Sequence, residues 1–258
     1  MTASMGGVLP EQPDPAAFRR VLDVGCGTGG WLIETAKTCP TITLLVGVDV
    51  SRTFVTYARA QAVAAGVSDR VEFPVMDALR MLEFPPGFFD LVPHRFALSW
   101  LRSWEWRKLL EEAQRVAAPN GIIHCVEAEL ARADTPAFTA LRTLTLSAFS
   151  QAGHLFTPDG ELTRALPALF HRHGLLDIQT RRTILTYRAA TEDGKRFCED
   201  LRLGLKTIEP FLRKWGRVPD QYEALCQQAS REMEAADCVV TVPLLTVWGR
   251  SGPRKHHA

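Results

Sequence analysis

Arg20-Val21-Leu22-Asp23-Val24-Gly25-Cys26-Gly27-Thr28-Gly29-Gly30 is the stretch on which the fold turns. Its first five residues form a short apolar run, the pattern of a buried strand. The glycines that follow allow a sharp turn and close approach of a ligand to the backbone. Trp31, Leu32, Ile33 and Ala36 then suggest a helix that ends near Cys39-Pro40. The same rhythm repeats downstream. Leu44 to Val48 predicts a second strand, and Arg52 to Ala65 a helix closed by Gly66. Val71 to Val75 predicts a third strand, Phe89 to Val92 a fourth, Trp104 to Val116 a helix, and Ile122 to Val126 a fifth strand after a turn at Pro119-Asn120-Gly121. Strands alternating with helices in this way predict an α/β fold with a doubly wound, mostly parallel sheet, helices on both faces.

After Glu127 the rhythm breaks. Helices are predicted over Asp134 to Ala152, from Thr157-Pro158 to about His173, over Asp193 to Leu212 and over Pro219 to Met233. Strand-like runs lie at Ile178 to Tyr187 and Cys238 to Trp248. The expected organisation is a single domain over 1–258. Its core covers 18–130, 175–189 and 237–250, and helical cap inserts occupy 131–174 and 190–236.

Composition bounds the function classes. The 258 residues are 46% hydrophobic and 23% charged, with a formal net charge of +1. That excludes disorder as the main state and argues against a general nucleic-acid binder, which carries a basic excess. No run reaches the roughly 18–20 apolar residues that span a bilayer. Met1 to Pro15 lacks the basic-then-apolar order of a secretion signal. The six cysteines form no C-x-x-C and no zinc-ligand spacing with histidine. The expectation is a cytoplasmic protein with reduced thiols and no metal, membrane or nucleic-acid partner.

The glycine turn alone is ambiguous. Gly25, Gly27 and Gly30 satisfy the G-x-G-x-x-G of dinucleotide binders, whereas Gly25, Gly27 and Gly29 satisfy G-x-G-x-G. Three acids sharpen it. Asp23, two residues before the first glycine, can attract a cationic group such as an ammonium and would sit poorly beside a pyrophosphate. Asp49 ends the second strand, where a carboxylate can accept from both ribose hydroxyls. Asp77 follows the third strand, where it can accept from an adenine amino group while the next amide meets a ring nitrogen. An ammonium, a ribose diol and an adenine together describe S-adenosylmethionine.

At these residues the sequence resembles the class I SAM-dependent methyltransferases. Val21 to Gly29 resembles their first motif, Gly47-Val48-Asp49-Val50-Ser51 the ribose segment, Met76-Asp77-Ala78 the adenine segment, Phe89-Asp90-Leu91-Val92 the fourth-strand motif, and Arg115 to Gly121 the turn before the fifth strand. The resemblance covers about Arg20 to Glu127. It implies a seven-stranded Rossmann-like sheet with an antiparallel last strand, S-adenosylmethionine as cofactor, and Asp23, Gly25, Gly27, Asp49 and Asp77 as cofactor residues. Cys26, Gly29, Val50, Met76, Ala78 and Pro93, their neighbours in these motifs, complete the candidate cofactor set. Pro93 has no amide, so it can offer only its carbonyl.

Methyl transfer from a sulfonium is an in-line displacement governed largely by placement of the acceptor. The expected partner is a small-molecule methyl acceptor, and a homodimer is an arrangement the sequence permits. His94, after the fourth strand, is the candidate general base, with a structural histidine as the alternative. His154 could face the pocket; His124 reads as core. Trp100, Trp104 and Trp106 could line a site for a flat acceptor or pack between helix and sheet. Arg95 and Arg102 could pair with an anionic substrate or stand as surface charge. Arg213, Lys214 and Arg217 make only a modest basic edge. The rival functions are a non-catalytic SAM-fold binding protein and an NAD(P)-dependent oxidoreductase; the second has no use for Asp23 or Asp77.

Overall fold

The computed structural model describes residues 5–157 and 162–252. Strands β1 (Arg20–Val24), β2 (Leu44–Val48), β3 (Val71–Glu72), β4 (Phe89–Arg95), β5 (Ala117–Ala128), β6 (Leu176–Arg188) and β7 (Val239–Arg250) form one sheet in the order β3-β2-β1-β4-β5-β7-β6. The first five pair in parallel, and β7 runs antiparallel to both β5 and β6. The order reverses between β1 and β4, the switch point where parallel sheets open a crevice for ligands.

Helices α1 (Gly30–Thr38) and α2 (Arg52–Ala64) cover one face, where Leu32, Val55 and Ala58 pack on Val21 and Leu45. Helices α3 (Trp106–Val116) and α5 (Leu162–Arg172) cover the other, where Trp106, Leu110, Leu166 and Phe170 pack on Leu22, Val92 and Ile123. Each such leucine, valine, isoleucine or phenylalanine, wholly buried, contributes roughly 1.5–3 kcal/mol. Helices α4 (Pro136–Gln151), α6 (Glu192–Trp215) and α7 (Tyr222–Met233) pack on one another around Leu141, Leu212, Tyr222 and Met233. Thus the α5 part of segment 131–174 lies on the sheet, while α4 joins α6 and α7. The ends of α6 follow from its sequence. Thr191 accepts from Gly194 N at its start, beside Glu192 and Asp193, and Arg213 and Lys214 stand in its last turn.

Expected boundaries move at β3 and β4. β3 stops at Glu72 and only a single bridge, Asp49 to Val75, continues it. Pro74 has no amide to donate, so the ladder breaks there. β4 runs on to Arg95, which puts Pro93 and His94 inside the strand rather than after it. The start of α5 expected at Thr157-Pro158 reaches into 158–161, outside the described residues.

Candidate active site

The glycine turn is built by hydrogen bonds to β2. Gly25 N and Cys26 N both donate to Val48 O, at 2.9 and 3.0 Å. Gly29 starts α1 at φ +75°, and a Cβ there would stand 2.6 Å from the Phe73 ring, so the position requires glycine on two counts. Asp49 ties the turn together. Its Oδ2 accepts from Gly27 N at 2.9 Å and its Oδ1 from Ser51 N at 2.8 Å, while its carbonyl accepts from Met76 N at 3.1 Å. Ser51 in turn caps α2 by accepting from Phe54 N. Asp77 bends the next loop by accepting from Leu79 N at 2.9 Å, and pairs loosely with Arg80 at 3.5 Å.

These elements enclose a cleft of about 390 Å³. Of the residues singled out from sequence, Gly25, Asp49, Val50, Met76, Asp77 and Ala78 line it. Sequence reasoning did not anticipate Phe54, Leu79 and Ser99, which also line it, while Trp100, one of the tryptophans offered for an acceptor site, stands on its wall. Trp100 closes over the turn: a Cβ on Gly25 would stand 3.1 Å from its ring. Of the other tryptophans in that cluster, Trp106 is wholly buried in the core and Trp104 is exposed.

The segment that carries Ser99 and Trp100 is held from below. Phe96 takes φ +57° and a 3-10 turn follows over Ala97–Ser99. Ala97 N donates to Glu127 Oε1 at 2.6 Å and Leu98 N to its Oε2 at 3.3 Å. Glu127 is wholly buried, and burial pushes its carboxyl up to about 8 against the pull of those two amides. The signal for it was present: a carboxylate ending a buried strand needs a partner.

The other sequence-marked residues lie off the cleft wall. Asp23 is wholly buried; its Oδ2 accepts from Arg95 Nη2 at 2.9 Å, and its Oδ1 has no hydrogen-bond partner among the described residues. Burial raises the Asp23 carboxyl, with Arg95 pulling the other way. Cys26 is buried, and burial with Asp23 and Asp49 nearby pushes its thiol up, so it is no nucleophile. Gly27 and Gly29 shape the turn without lining the cleft, and Pro93 pairs with His124 across β4 and β5.

His94 also lies off the cleft. It is wholly buried, its ring 5.5 Å from that of Trp106, and neither nitrogen has a hydrogen-bond partner among the described residues. Burial pushes it down to about 3, so it is neutral near pH 7. His154 is buried as well: Nδ1 is 3.0 Å from Leu101 O, and the ring packs edge-on against Phe149. Arg102 donates to Ala152 O. Arg213, in the modest basic edge, pairs with Glu209 at 2.6 Å on the wall of a larger groove, about 700 Å³, between α6 and α7. Lys206 and Glu223 also line that groove, so its charges are mixed.

Residues 21–121 match the family model described as a methyltransferase domain. To that extent this stretch is similar to a methyltransferase domain. The ajmaline N-methyltransferase of Rauvolfia serpentina is 37% identical to the chain over 115 residues, which is 45% of this chain and 38% of that protein. The aligned part therefore spans well under half of that relative. The YcgJ protein of Bacillus subtilis is 19% identical and superposes with a TM-score of 0.57 over 92% of this chain and 94% of that one. A phosphoethanolamine N-methyltransferase of Haemonchus contortus, solved with S-adenosyl-L-methionine, is 20% identical with a TM-score of 0.52 over 92% of this chain and 49% of that one. These two share the fold with this chain. The matched stretch spans β1 to β4, α1 to α3 and the first residues of β5, and so contains every residue of the cleft. Glu127 lies beyond it, on the same strand that the stretch enters. No helix among the described residues is long and apolar enough to cross a membrane.

Proposed function

We propose that this chain transfers the methyl group of S-adenosylmethionine to a small-molecule acceptor in the cytoplasm. The observation that carries this is the shared cleft. Asp49 and Asp77, acids at the ends of neighbouring strands, open with Gly25 onto one cavity of about 390 Å³ whose other walls include Val50, Met76 and Trp100. Acids at both tips suit hydroxyls, an amino group and a positive sulfur, and suit a pyrophosphate badly.

The donor set agrees with that cofactor. Each Asp49 oxygen already accepts one backbone amide and keeps a second lone pair, so the carboxylate can take both ribose hydroxyls without releasing the turn. Val50, Met76 and Ala78 would flank the adenine, and Asp77 would accept from its amino group. Gly27, Gly29 and Cys26 act by setting the path of the backbone. Asp23 acts through Arg95, because its carboxylate is not on the cleft surface. When bound, the cofactor supplies an electrophilic methyl group. The protein's part is to place the acceptor in line with it beside Trp100 and the 96–101 segment and to keep water out. His94, held neutral inside the core, takes no proton in this scheme.

Calorimetric titration with S-adenosylmethionine, S-adenosylhomocysteine and NADH tests this, followed by transfer of labelled methyl groups across an acceptor panel. Binding of the first two and not of NADH, with label appearing in an acceptor, is expected. Tight NADH binding without affinity for the sulfonium would overturn the proposal. Cofactor binding with no transfer to any acceptor would leave a non-catalytic binder.

A further inference from the structure

Residues 5–12 cross the α1 face of the sheet as an irregular strap. Leu9 is buried, and Trp31 Nε1 donates to Val8 O at 3.0 Å. Beneath the strap lies a small cavity of about 40 Å³, bounded by Glu11 above and by Arg95, His124, Trp31 and Phe96 below. Arg95 Nε, both nitrogens of His124 and Glu11 Oε1 are buried without an aligned hydrogen bond among the described residues. His124 Nε2 and Glu11 Oε1 do stand 2.8 Å apart as an ion-pair contact, with both side chains almost wholly buried. Buried polar atoms left in this state call for an explanation.

We infer that Arg95 and His124 form a binding site for a small carboxylate, and that Glu11 fills it as a placeholder when the strap is down. This rests on the methyltransferase proposal and deepens it. The two basic groups are fixed by the sheet: His124 stands opposite Pro93 and Arg95 opposite Val126 in the β4–β5 register. Arg95 is further clamped, its guanidinium 4.8 Å over the Trp31 ring and bonded to Asp23. That leaves its Nε edge as an unused donor, and guanidinium edges suit carboxylates. Glu11 is the one member of the group on irregular chain, so it moves at lower cost than the strands. Its carboxyl is pushed up by burial, yet the adjoining His124, with smaller help from a backbone hydrogen bond and Gln12, holds it below the usual range, which keeps it an anion.

The remaining space holds about three waters, at roughly 10–15 Å³ each, too little for a carboxylate together with the body of the molecule that bears it. An entering carboxylate must therefore replace that of Glu11 rather than join it. The site also communicates with the cofactor cleft. Asp23, bonded to Arg95, sits two residues before Gly25 of the cleft wall. A carboxylate bound here would belong either to the methyl acceptor or to the amino-acid end of the cofactor.

Calorimetry on the full chain separates these sources. Benzoate reports the acceptor's carboxylate. S-adenosylhomocysteine set against 5′-methylthioadenosine, which keeps the nucleoside and lacks the amino acid, reports the cofactor's. Removing the placeholder with Glu11→Ala should raise the affinity for the true occupant about 10-fold or more, and His124→Asn should lower it about 10-fold, with 5′-methylthioadenosine unmoved by either. A gain for benzoate assigns the acceptor; a gain for S-adenosylhomocysteine alone assigns the cofactor. If neither ligand responds to either change while 5′-methylthioadenosine still binds, the carboxylate site is refuted and the methyltransferase proposal stands. If 5′-methylthioadenosine and S-adenosylhomocysteine both fail to bind, the cofactor proposal fails, and benzoate still decides the site. Glu11→Gln, equal in size, repeats the test should the alanine variant misfold.

Discussion

Arg95 Nη2 donates to Asp23 Oδ2 at 2.9 Å, joining the ends of β4 and β1 through a pair whose acid is wholly withdrawn from solvent. The acid that seemed free to meet a ligand's ammonium is thus already engaged by a neighbouring strand. Breaking such a pair leaves an uncompensated buried charge, at a cost of about 3–5 kcal/mol. Arg95→Met should therefore lower the unfolding free energy by that amount in a urea titration. Adding Asp23→Asn should recover much of the loss, because the stranded charge is gone. Strictly additive losses in the double variant would show that the two groups do not act as a pair.

Asp49→Ala should weaken S-adenosylmethionine binding on the order of 100-fold, about 3 kcal/mol, since it removes two charge-assisted hydrogen bonds to the ribose. It also strips the amides of Gly27 and Ser51 of their acceptor, so a fall in Tm should accompany the lost affinity. Calorimetry and a thermal melt read the two effects separately. Unchanged affinity would place the ribose elsewhere.

Much of this architecture was legible because local signals and tertiary packing agree. β1, β2 and the glycine turn are short, buried and bounded by residues with few alternative conformations, and β2 falls where its apolar run says. Pro93 shows where that logic stops. A proline reads as the end of a strand, but pairing with β5 on the far side carries β4 through to Arg95. Asp49 and Asp77 were legible as acids at strand ends. Which acid meets the cleft was not: Asp23 and Glu127 have the same sequence setting, yet one turns to Arg95 and the other to the amides of Ala97 and Leu98. Such choices rest on contacts between residues distant in the chain, which no local pattern records.

His94 yields a prediction with a definite sign. Its value falls from 6.5 to about 3 because burial disfavours the charged ring. Between those values the unfolded chain binds a proton that the folded protein does not, so stability is full above about pH 6.5 and is lost as pH falls toward 3. His94→Leu should flatten that acid limb in melts from pH 7 to 4, and should be neutral to about 1 kcal/mol stabilising at pH 7. Methyl transfer should survive within a few-fold. A loss of about 10²–10⁴ in kcat with cofactor affinity intact would instead restore the ring as a general base.

Glu127 gives the opposite slope. Burial raises its carboxyl from 4.5 to about 8, so across that interval the folded protein holds a proton that the unfolded chain has released. Stability should therefore decline as pH rises from about 4.5 to 8 and level off beyond. Glu127→Gln, which mimics the protonated acid, should abolish this decline, and melts at half-unit pH steps would show it. The site should feel the same titration. Ionised Glu127 accepts from Ala97 N and Leu98 N together, whereas a glutamine side chain in its place can accept with only its carbonyl oxygen. The Ser99 and Trp100 wall then loses one anchor. We expect a several-fold rise in KM for the acceptor, largest above pH 8, where the native residue is charged, and little change in cofactor affinity. If the stability and KM of the Glu127→Gln variant follow the native pH dependence throughout, Glu127 neither titrates in this range nor positions the wall.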